Sequence, residues 1–359
     1  MTKSFKKGPA SVEFRNVVKR YGTVAAVDDV SFTVEPGTLV TLLGPSGCGK
    51  TTTLRLVAGL EIATEGQILI GGADVTRLSA ADRDVSMVFQ SYALFPHMNV
   101  IDNVAYGPSV QGQPKEKARE MAREKLELVG LKGYDERLPS ELSGGQQQRV
   151  AVARALTLEP QVLLFDEPLS NLDAKLRRRV REDIRDLQRD LNLTVVYVTH
   201  DQQEALAVSD RVIVMSNAKI AQAGSPRELY ESPVSLFVAD FMGDSNIVDA
   251  TVEKVADGIA TARVGDVSLQ LPARSLTPGP AKVAIRPEAL ALTLAPTGGP
   301  ALPGKIAKAA YLGTHMEYTV TTPVGELFVV DKDVSNPKAP GADAWLGLTR
   351  IGVSLVPRA

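Results

Sequence analysis

The sequence predicts an α/β fold built on a parallel sheet, followed by a small all-β domain. Two runs, 162–165 and 195–198, contain only aliphatic and aromatic residues, which is typical of strands buried on both faces of a parallel sheet. Past residue 243 helical periodicity disappears, and short alternating segments separated by Gly and Pro take over, as in a small barrel or sandwich. A length of 359 residues also exceeds a typical single domain. We therefore expect domains at residues 1–243 and 244–359.

The composition excludes several classes of protein. The net charge is −2, from 40 basic and 42 acidic residues, so binding of a nucleic acid by bulk electrostatics is not expected. The single cysteine excludes a disulfide framework and fits a reducing cytoplasm. No segment approaches the roughly 20 apolar residues of a membrane span, and residues 1–9 lack the apolar core of a signal peptide. Any membrane connection is therefore expected to come through a partner.

The first chemical motif is a glycine-rich loop, Gly44–Thr51, between the apolar run 39–43 and a helix-forming segment. Its spacing, G-x-x-x-x-G-K-T, is that of a phosphate-binding loop, whose backbone N–H groups surround phosphate oxygens at the positive end of a helix. Lys50 is then placed to reach the terminal phosphates, and the hydroxyl of Thr51 can bind a phosphate-bound Mg²⁺. The alternative is an ordinary glycine-rich turn. We predict a nucleoside triphosphate site.

Two further residues are candidates for the same site. Tyr21 lies on a loop ahead of the phosphate loop, where its ring can stack on adenine, a contact worth about 1 kcal/mol. The alternative for Tyr21 is a turn residue that packs on its own domain. Gln90 follows the apolar strand segment 85–88, and its amide can bind Mg²⁺ or position water. Most glutamines in such places do neither, so this assignment also stays open.

Helix-forming sequence occupies residues 101–158, interrupted by a Ser-Gly-Gly-Gln segment at 143–146. We expect this segment to be a flexible loop, with the helix resuming at Gln147. A loop of this kind at a helix N-terminus is suited to bind an anion. The chain therefore contains two predicted phosphate-binding features, the second of them within a helical subdomain at about 91–158.

Carboxylates follow the buried run 162–165, and a histidine follows the next buried run. Asp166 and Glu167 stand at the carboxyl end of a predicted central strand, where open α/β sheets bind ligands. Asp166 fits the role of holding Mg²⁺, and Glu167 that of the general base that polarises an attacking water. Of the three histidines, only His200 ends a core strand beside the predicted phosphates. A structural hydrogen bond is the alternative role for His200.

In this order the motifs resemble those of the ATP-binding subunits of ABC transporters, over roughly residues 12–240. The motifs are the phosphate loop, Gln90, the Leu-Ser-Gly-Gly-Gln segment at 142–146, the strand into Asp166 and Glu167, the segment 170–173 and His200. In that family the Ser-Gly-Gly loop of one subunit covers the ATP held by the other subunit. The resemblance accounts for the second anion-binding loop, which one nucleotide within one monomer would leave unused.

The resemblance implies a role for each matching position. ATP hydrolysis would use Glu167 as the catalytic base, His200 as the γ-phosphate sensor and Lys50 to stabilise charge. Mg²⁺ would be bound by Thr51, Gln90 and Asp166. The positions implied to contact nucleotide, including those that act across a dimer, are Tyr21, Gly44, Ser46, Gly47, Cys48, Gly49, Lys50, Thr51, Thr52, Gln90, Ser143, Gly144, Gly145, Gln146 and Asp173.

The resemblance also implies partners and a location. The partners would be a second copy of the chain in a homodimer, two integral membrane permease subunits and, indirectly, a periplasmic solute-binding protein, with no nucleic acid. The chain would lie at the cytoplasmic face of the bacterial inner membrane, as a peripheral subunit.

The C-terminal segments narrow the expected function. Ala284–Glu288 and Tyr311–Gly313 are similar to the regulatory β-barrel of bacterial importer ATPases for sugars, polyamines, iron(III) and phosphonates. The segment 210–229 is most similar to the iron(III), polyamine and phosphonate group. We therefore expect an α/β P-loop NTPase with a helical subdomain and an OB-like barrel, which powers iron(III) import. Polyamine, phosphonate or sugar import is the alternative, and a soluble ABC ATPase that acts on nucleic acid is a further one.

Overall fold

The structure, a computed structural model, describes residues 8–357 except 275, 297 and 350. It divides into two compact units, the first ending at Pro226 and the second beginning at Arg227. The functional domain boundary expected at residue 243 stays a prediction. Within the described part of the chain, no helix is long and apolar enough to cross a membrane.

The first unit is a mixed α/β structure. Its strands are β1 (Val12–Tyr21), β2 (Val24–Val34), β3 (Leu39–Leu43), β4 (Glu65–Ile70), β5 (Ala73–Asp74), β6 (Val85–Val88), β7 (Val162–Asp166), β8 (Thr194–Thr199), β9 (Arg211–Ser216) and β10 (Lys219–Gly224). Its helices are α1 (Lys50–Ala58), α2 (Val100–Val110), α3 (Lys115–Leu128), α4 (Gly144–Leu156), α5 (Ala174–Asp190) and α6 (Gln202–Val208), and α7 (Pro226–Glu231) begins where the units divide.

A six-stranded sheet with the order β10-β9-β3-β8-β7-β6 forms the centre of this unit. The strands from β9 to β6 are mutually parallel, and β10 pairs antiparallel with β9. Strands β3 and β8 are buried along their whole length, and burial of each Val or Leu side chain contributes about 1.5–3 kcal/mol. Because the pairing is parallel, the carboxyl ends of β3, β7 and β8 meet at one edge of the sheet. The predicted α/β fold is confirmed.

An antiparallel sheet with the order β2-β1-β4-β5 shares a core with the central sheet. The rings of Phe14 and Phe32 stack across β1 and β2 with their centroids 4.6 Å apart. Leu54 and Val57 of α1 belong to the same core as Phe14 and as Leu42 of β3. The helix that follows the glycine-rich loop is therefore held by side chains of both sheets.

The helical region of the first unit consists of α2, α3 and α4. Their shared core contains Val104, Ala118, Leu126 and Val150, which are all fully buried. Helix α4 begins at Gly144, three residues before the start predicted from the sequence. The reason is the residue that precedes α4, Ser143, which forms a capping box with the third residue of the helix.

The second unit is all-β apart from α7, α8 (Leu236–Phe241) and a 3₁₀ turn at Pro287–Ala289. Its strands are β11 (Asn246–Ala256), β12 (Ile259–Val264), β13 (Val267–Pro272), β14 (Gly279–Ile285), β15 (Leu290–Thr293), β16 (Ala301–Tyr311), β17 (Met316–Thr322), β18 (Gly325–Asp331), β19 (Asp343–Leu348) and β20 (Val353–Val356). They form two five-stranded antiparallel sheets, β13-β12-β11-β14-β20 and β15-β19-β16-β17-β18. One core contains side chains of both sheets, among them Val252, Val283, Ile306 and Leu346, so the predicted all-β domain is confirmed.

Arg286 is a buried cation at the end of β14 that ties the helical start of the second unit to its sheet. One of its terminal nitrogens donates to the carbonyl of Ala239 and the hydroxyl of Ser245, both at 2.8 Å. The other donates to the carbonyl of Tyr230 at 2.9 Å, and the guanidinium lies 4.2 Å from the centre of the Tyr230 ring. The Arg-Pro-Glu segment noted in the sequence therefore has a structural function.

Replacing Arg286 with methionine is expected to destabilise the second unit by about 3 kcal/mol or more, because three charge-assisted hydrogen bonds, two of them buried, are lost. Chemical denaturation monitored by circular dichroism measures the loss. Arg263→Met is the matched control, since Arg263 makes an exposed cross-strand ion pair with Glu253 that is worth at most about 1 kcal/mol. Equal losses for the two variants would contradict the structural role of Arg286.

Candidate active site

The loop Gly44–Thr51 connects the carboxyl end of β3 to the first turn of α1. Gly49 has φ +103°, a conformation that side chains oppose, and a Cβ there would lie 2.3 Å from the carbonyl oxygen of Ala26. A Cβ at Gly44 would lie 2.4 Å from the carbonyl oxygen of Met215. The glycine spacing therefore follows from close backbone contacts. On the other side of the loop Ser46 and Gly47 are exposed, so an anion has access to the start of α1.

Lys50 is a buried cation with no carboxylate partner among the residues that the structure describes. Its Nζ donates to the carbonyl oxygens of Gly44 and Pro45, at 2.8 and 2.9 Å, and lies 3.8 Å from Cys48 Sγ. The side chain is 5% exposed. Burial of an ammonium that is bonded only to neutral groups lowers the stability of the protein unless a bound anion neutralises the charge. The loop therefore fits a bound phosphate.

The side-chain oxygens of Thr51 and Asp166 lie close together beside this loop. The Thr51 hydroxyl donates to Asp166 Oδ1 at 3.4 Å, between α1 and the end of β7. Burial, together with repulsion from Glu167, raises the pKa of Asp166 above its ordinary value. A divalent cation would relieve both effects, and hydroxyl and carboxylate oxygens are ligands that Mg²⁺ prefers. These residues therefore fit a magnesium ion.

Glu167 and His200 meet because β7 and β8 are neighbouring parallel strands. Asp166 pairs with Val198, and the N–H of Glu167 continues the ladder by donating to the carbonyl of Val198 at 3.0 Å. His200 Nδ1 lies 3.0 Å from Glu167 Oε2, within hydrogen-bond distance. Glu167 has φ +44°, a left-handed conformation that costs a non-glycine residue about 1–2 kcal/mol. The backbone of Glu167 is thus strained, and the imidazole of His200 orients its carboxylate. This carboxylate can act as a general base.

Gln90 is held by two residues to which the sequence analysis assigned no role. Its amide Nε2 donates to Ser170 Oγ at 3.1 Å, and its backbone carbonyl accepts from Asn171 Nδ2 at 3.0 Å. Ser170 Oγ in turn donates to the carbonyl of Glu167 at 3.0 Å. Gln90 is thus connected to the catalytic strand end through Ser170. The segment 170–173 was among the motifs that carry the family resemblance, but the sequence did not predict these contacts with Gln90.

The segment 143–146 begins α4 rather than forming a flexible loop. Ser143 Oγ accepts from the N–H of Gln146 at 3.4 Å, and the N–H of Ser143 donates to Gln146 Oε1 at 2.8 Å. A Cβ at Gly145 would lie 2.9 Å from Leu176 of α5, so the glycine allows the two helices to approach closely. No hydrogen bond in the described part of the chain joins this segment to the phosphate loop.

Asp173 and Tyr21 make contacts of other kinds. Asp173 caps α5, where its Oδ1 accepts from the N–H of Leu176 at 3.0 Å. Tyr21 ends β1 with a ring that is half exposed, and the ammonium of Lys19 lies 4.8 Å from the ring centre. Thr52, on α1, is partly buried. Their contacts with nucleotide stay predictions.

Glu204 is a buried carboxylate behind His200 that the sequence analysis did not assign. Its Oε2 accepts from Thr199 Oγ1 at 2.7 Å and from the Tyr197 hydroxyl at 3.3 Å, and Arg177 Nε lies 3.8 Å from Oε1. Burial raises the pKa of Glu204 above its ordinary value. The network links the residue before His200 to the first turns of α5.

Taken together, the parallel sheet, the phosphate loop with its buried lysine, and the paired Glu167 and His200 define a P-loop nucleoside triphosphatase. Comparison with known sequences identifies the family. The ABC transporter family model matches residues 27–170, and that of the TOBE domain matches residues 283–355. The chain belongs to the ABC transporter family and is an ABC-type ATPase, as the resemblance predicted.

The relatives match over nearly the whole chain. "Fe(3+) ions import ATP-binding protein FbpC 1" of Rhizobium meliloti (strain 1021) is 60% identical over 97% of this chain and 98% of its own length. "Fe(3+) ions import ATP-binding protein FbpC" of Agrobacterium fabrum (strain C58 / ATCC 33970) is 58% identical over the same shares of the two chains.

Two solved structures resemble part of the chain. The dimeric structure of MJ0796, a bacterial ABC transporter cassette, has a TM-score of 0.54 and 30% identity and covers 60% of this chain and 99% of its own. The dimeric post-hydrolysis state of MJ0796, bound to ADP and Pi, has a TM-score of 0.53 and 31% identity over the same shares.

Replacing Glu204 with glutamine is expected to raise the stability of the ligand-free protein at neutral pH. Because the pKa of Glu204 is raised by folding, the unfolded chain loses this proton first as the pH rises, and ionisation favours the unfolded state. The gain should be absent below the ordinary pKa of 4.5, grow as the pH rises through and above it, and level off above the raised pKa.

Denaturation curves between about pH 4 and about pH 8 measure this pH dependence. Glutamine keeps an acceptor for Thr199 and Tyr197, so the variant removes mainly the charge. Glu124→Gln, on the exposed face of α3, is the matched control and should follow the wild-type curve. A stability difference that is the same at every pH would contradict the assignment.

Proposed function

We propose that the chain is the ATP-hydrolysing motor subunit of a bacterial iron(III) importer. The observation that carries the catalytic part is the contact of Glu167 with His200 at the strand edge that also bears the phosphate loop. The solute follows from the relatives, which are named for Fe(3+) import and match along nearly the whole chain. Polyamine, phosphonate and sugar import are the alternatives.

The catalytic roles follow from the positions of the side chains. Lys50 and the N–H groups of the loop bind the phosphates of ATP, and Glu167 accepts a proton from the attacking water. His200 orients Glu167 through the 3.0 Å contact between Nδ1 and Oε2. The exposed side of the imidazole contacts the terminal phosphate. Mg²⁺, held by Thr51, Asp166 and Gln90, would neutralise charge on the phosphates.

A homodimer supplies the remaining nucleotide contacts. The first N–H groups of α4, at Gly144 and Gly145, have no partner within a regular helix and form a positive helix end. In a twofold dimer this end would face the ATP that is held by the partner's phosphate loop, with Asp173 near the dimer axis and Tyr21 against adenine. The structural relatives are dimeric cassettes, which supports this arrangement.

The other partners follow from import itself. A hydrophilic ion needs a path through the membrane, which two integral permease subunits would provide, with delivery by a periplasmic solute-binding protein. The ATPase would then act at the cytoplasmic face of the inner membrane. The balanced charge of −2 supports a function without nucleic acid. The all-β unit contains no catalytic constellation among its described residues, and we assign it a regulatory role.

Replacing Glu167 with glutamine is expected to lower ATP turnover by about 100-fold or more, because the amide cannot accept the proton of water. ATP binding should persist and favour a stable ATP-bound dimer. Steady-state phosphate release measures turnover, and size-exclusion chromatography with ATP measures dimer formation. Glu124→Gln is the control for loss of a surface carboxylate. Normal hydrolysis by Glu167→Gln would refute the assignment of the base.

Uptake of labelled iron(III), putrescine, 2-aminoethylphosphonate and maltose tests the transported solute. The cells would contain either the wild-type chain or Glu167→Gln as their only copy. We expect iron(III) uptake alone to collapse in the variant. Retained iron uptake with loss of another solute would leave the motor function intact and refute iron(III) as the substrate.

A further inference from the structure

The turn that contains Gln90 adopts a backbone conformation that its own residues disfavour. Tyr92 and Ala93 are consecutive non-glycine residues with φ +61° and +48°, both in the left-handed region. The N–H of Tyr92 donates to the carbonyl of Phe89 at 2.9 Å, which closes a turn whose second residue is Gln90. Left-handed residues outside glycine persist only where their surroundings enforce them. The position of Gln90 therefore depends on what holds the next two residues.

Arg154, in the last turns of α4, holds both residues. Its Nη2 donates to the carbonyl of Tyr92 and its Nη1 to the carbonyl of Ala93, each at 2.7 Å. The guanidinium also lies 5.8 Å from the centre of the Phe95 ring. No carboxylate pairs with Arg154 within the part of the chain that the structure describes, so its charge is directed at the two carbonyls. The planar guanidinium presents two donor nitrogens to the two carbonyls in a fixed geometry, which the single nitrogen of an ammonium does not reproduce.

The contact joins two parts of the site that act on nucleotide in different ways. Helix α4 begins with the Ser-Gly-Gly segment, and Arg154 lies ten residues after Gly144, about 15 Å along the same rigid helix. Gln90, at the other end of the contact, is bonded to Ser170 beside Glu167. A displacement of α4 therefore moves the turn that positions Gln90.

We propose that Arg154 is a positioning residue that couples α4 to Gln90. By holding two left-handed residues it fixes the turn that directs the Gln90 side chain toward the strand end. This inference rests on the proposed function, since it assigns Arg154 a part in ATP hydrolysis. It requires no contact between Arg154 and nucleotide, so its effect should appear in turnover rather than in binding.

The experiment compares Arg154→Met with Arg149→Met in the full-length protein. Both residues lie on α4, but Arg149 pairs with Asp183 of α5 and does not contact the turn. We expect Arg154→Met to lower kcat at least about tenfold while KM for ATP changes by less than about threefold, because misplacement costs rate rather than binding. Hydrogen exchange of the amides at 91–95 should become faster. Arg149→Met should leave kcat, KM and the exchange rate of these amides unchanged.

A glycine at position 93 separates positioning from a general structural role. Glycine adopts φ near +48° without penalty, so Ala93→Gly should restore part of the kcat lost in Arg154→Met. Unchanged kcat in Arg154→Met, a parallel loss of ATP binding, or no recovery by Ala93→Gly would each overturn the proposal.

If Arg154→Met does not fold, Arg154→Lys provides the test, because it keeps the charge and loses the planar fork. Wild-type turnover by Arg154→Lys would overturn the proposal, and a lowered kcat with unchanged KM that Ala93→Gly raises would support it. Turnover by the wild type and its loss in Glu167→Gln establish the hydrolytic site first. A negative result for Arg154 then bears on the coupling alone.

Discussion

The parallel register of β3, β8 and β7 is the constraint on which the catalytic edge depends. Leu43 pairs with Thr199, and Val198 pairs with Asp166, so the phosphate loop, His200 and Glu167 leave the sheet side by side. A shift by one residue between β7 and β8 would turn each side chain of the shifted strand to the opposite face. The imidazole and the carboxylate would then lie on different sides of the sheet. Burial of these strands on both faces, through continuous Val and Leu runs, therefore serves the chemistry as well as the fold.

The same edge concentrates features that oppose folding. Lys50 is buried against neutral carbonyls, the pKa of Asp166 is raised by burial and by Glu167, and Glu167 itself has a left-handed backbone. Each feature lowers the stability of the ligand-free protein, and each would be relieved or used by bound phosphates and a cation. The cores of the two sheets and of α1 supply the stability that offsets these costs. The cost of the ligand-free site therefore favours ligand binding.

The sequence predicted the parts of the site that depend on local pattern. A glycine spacing, two carboxylates after an apolar run and a histidine after the next run placed the loop, Glu167 and His200 correctly at one edge. It could not predict contacts between residues distant in the chain. Ser170 is bonded to Gln90, 80 positions away in the chain, and Arg154 is bonded to Ala93, 61 positions away.

The start of α4 was missed for a local reason. The Ser143 capping box stabilises a helical conformation in two glycines whose sequence is typical of a loop. The solute lies outside such reasoning, since transport chemistry need not involve any residue of the ATPase.

The two ends of helix α4 contact different parts of the structure. Its first turn packs on α5 through Gly145, and its last turns bond the strained residues after Gln90 through Arg154. Both ends belong to one continuous helix, so a displacement of the first turn can reach Arg154. In a twofold dimer each α4 would connect the partner's nucleotide, at its first turn, to Gln90 of its own site. The two sites would then be coupled through the same element twice, and symmetry requires both couplings to have the same sign.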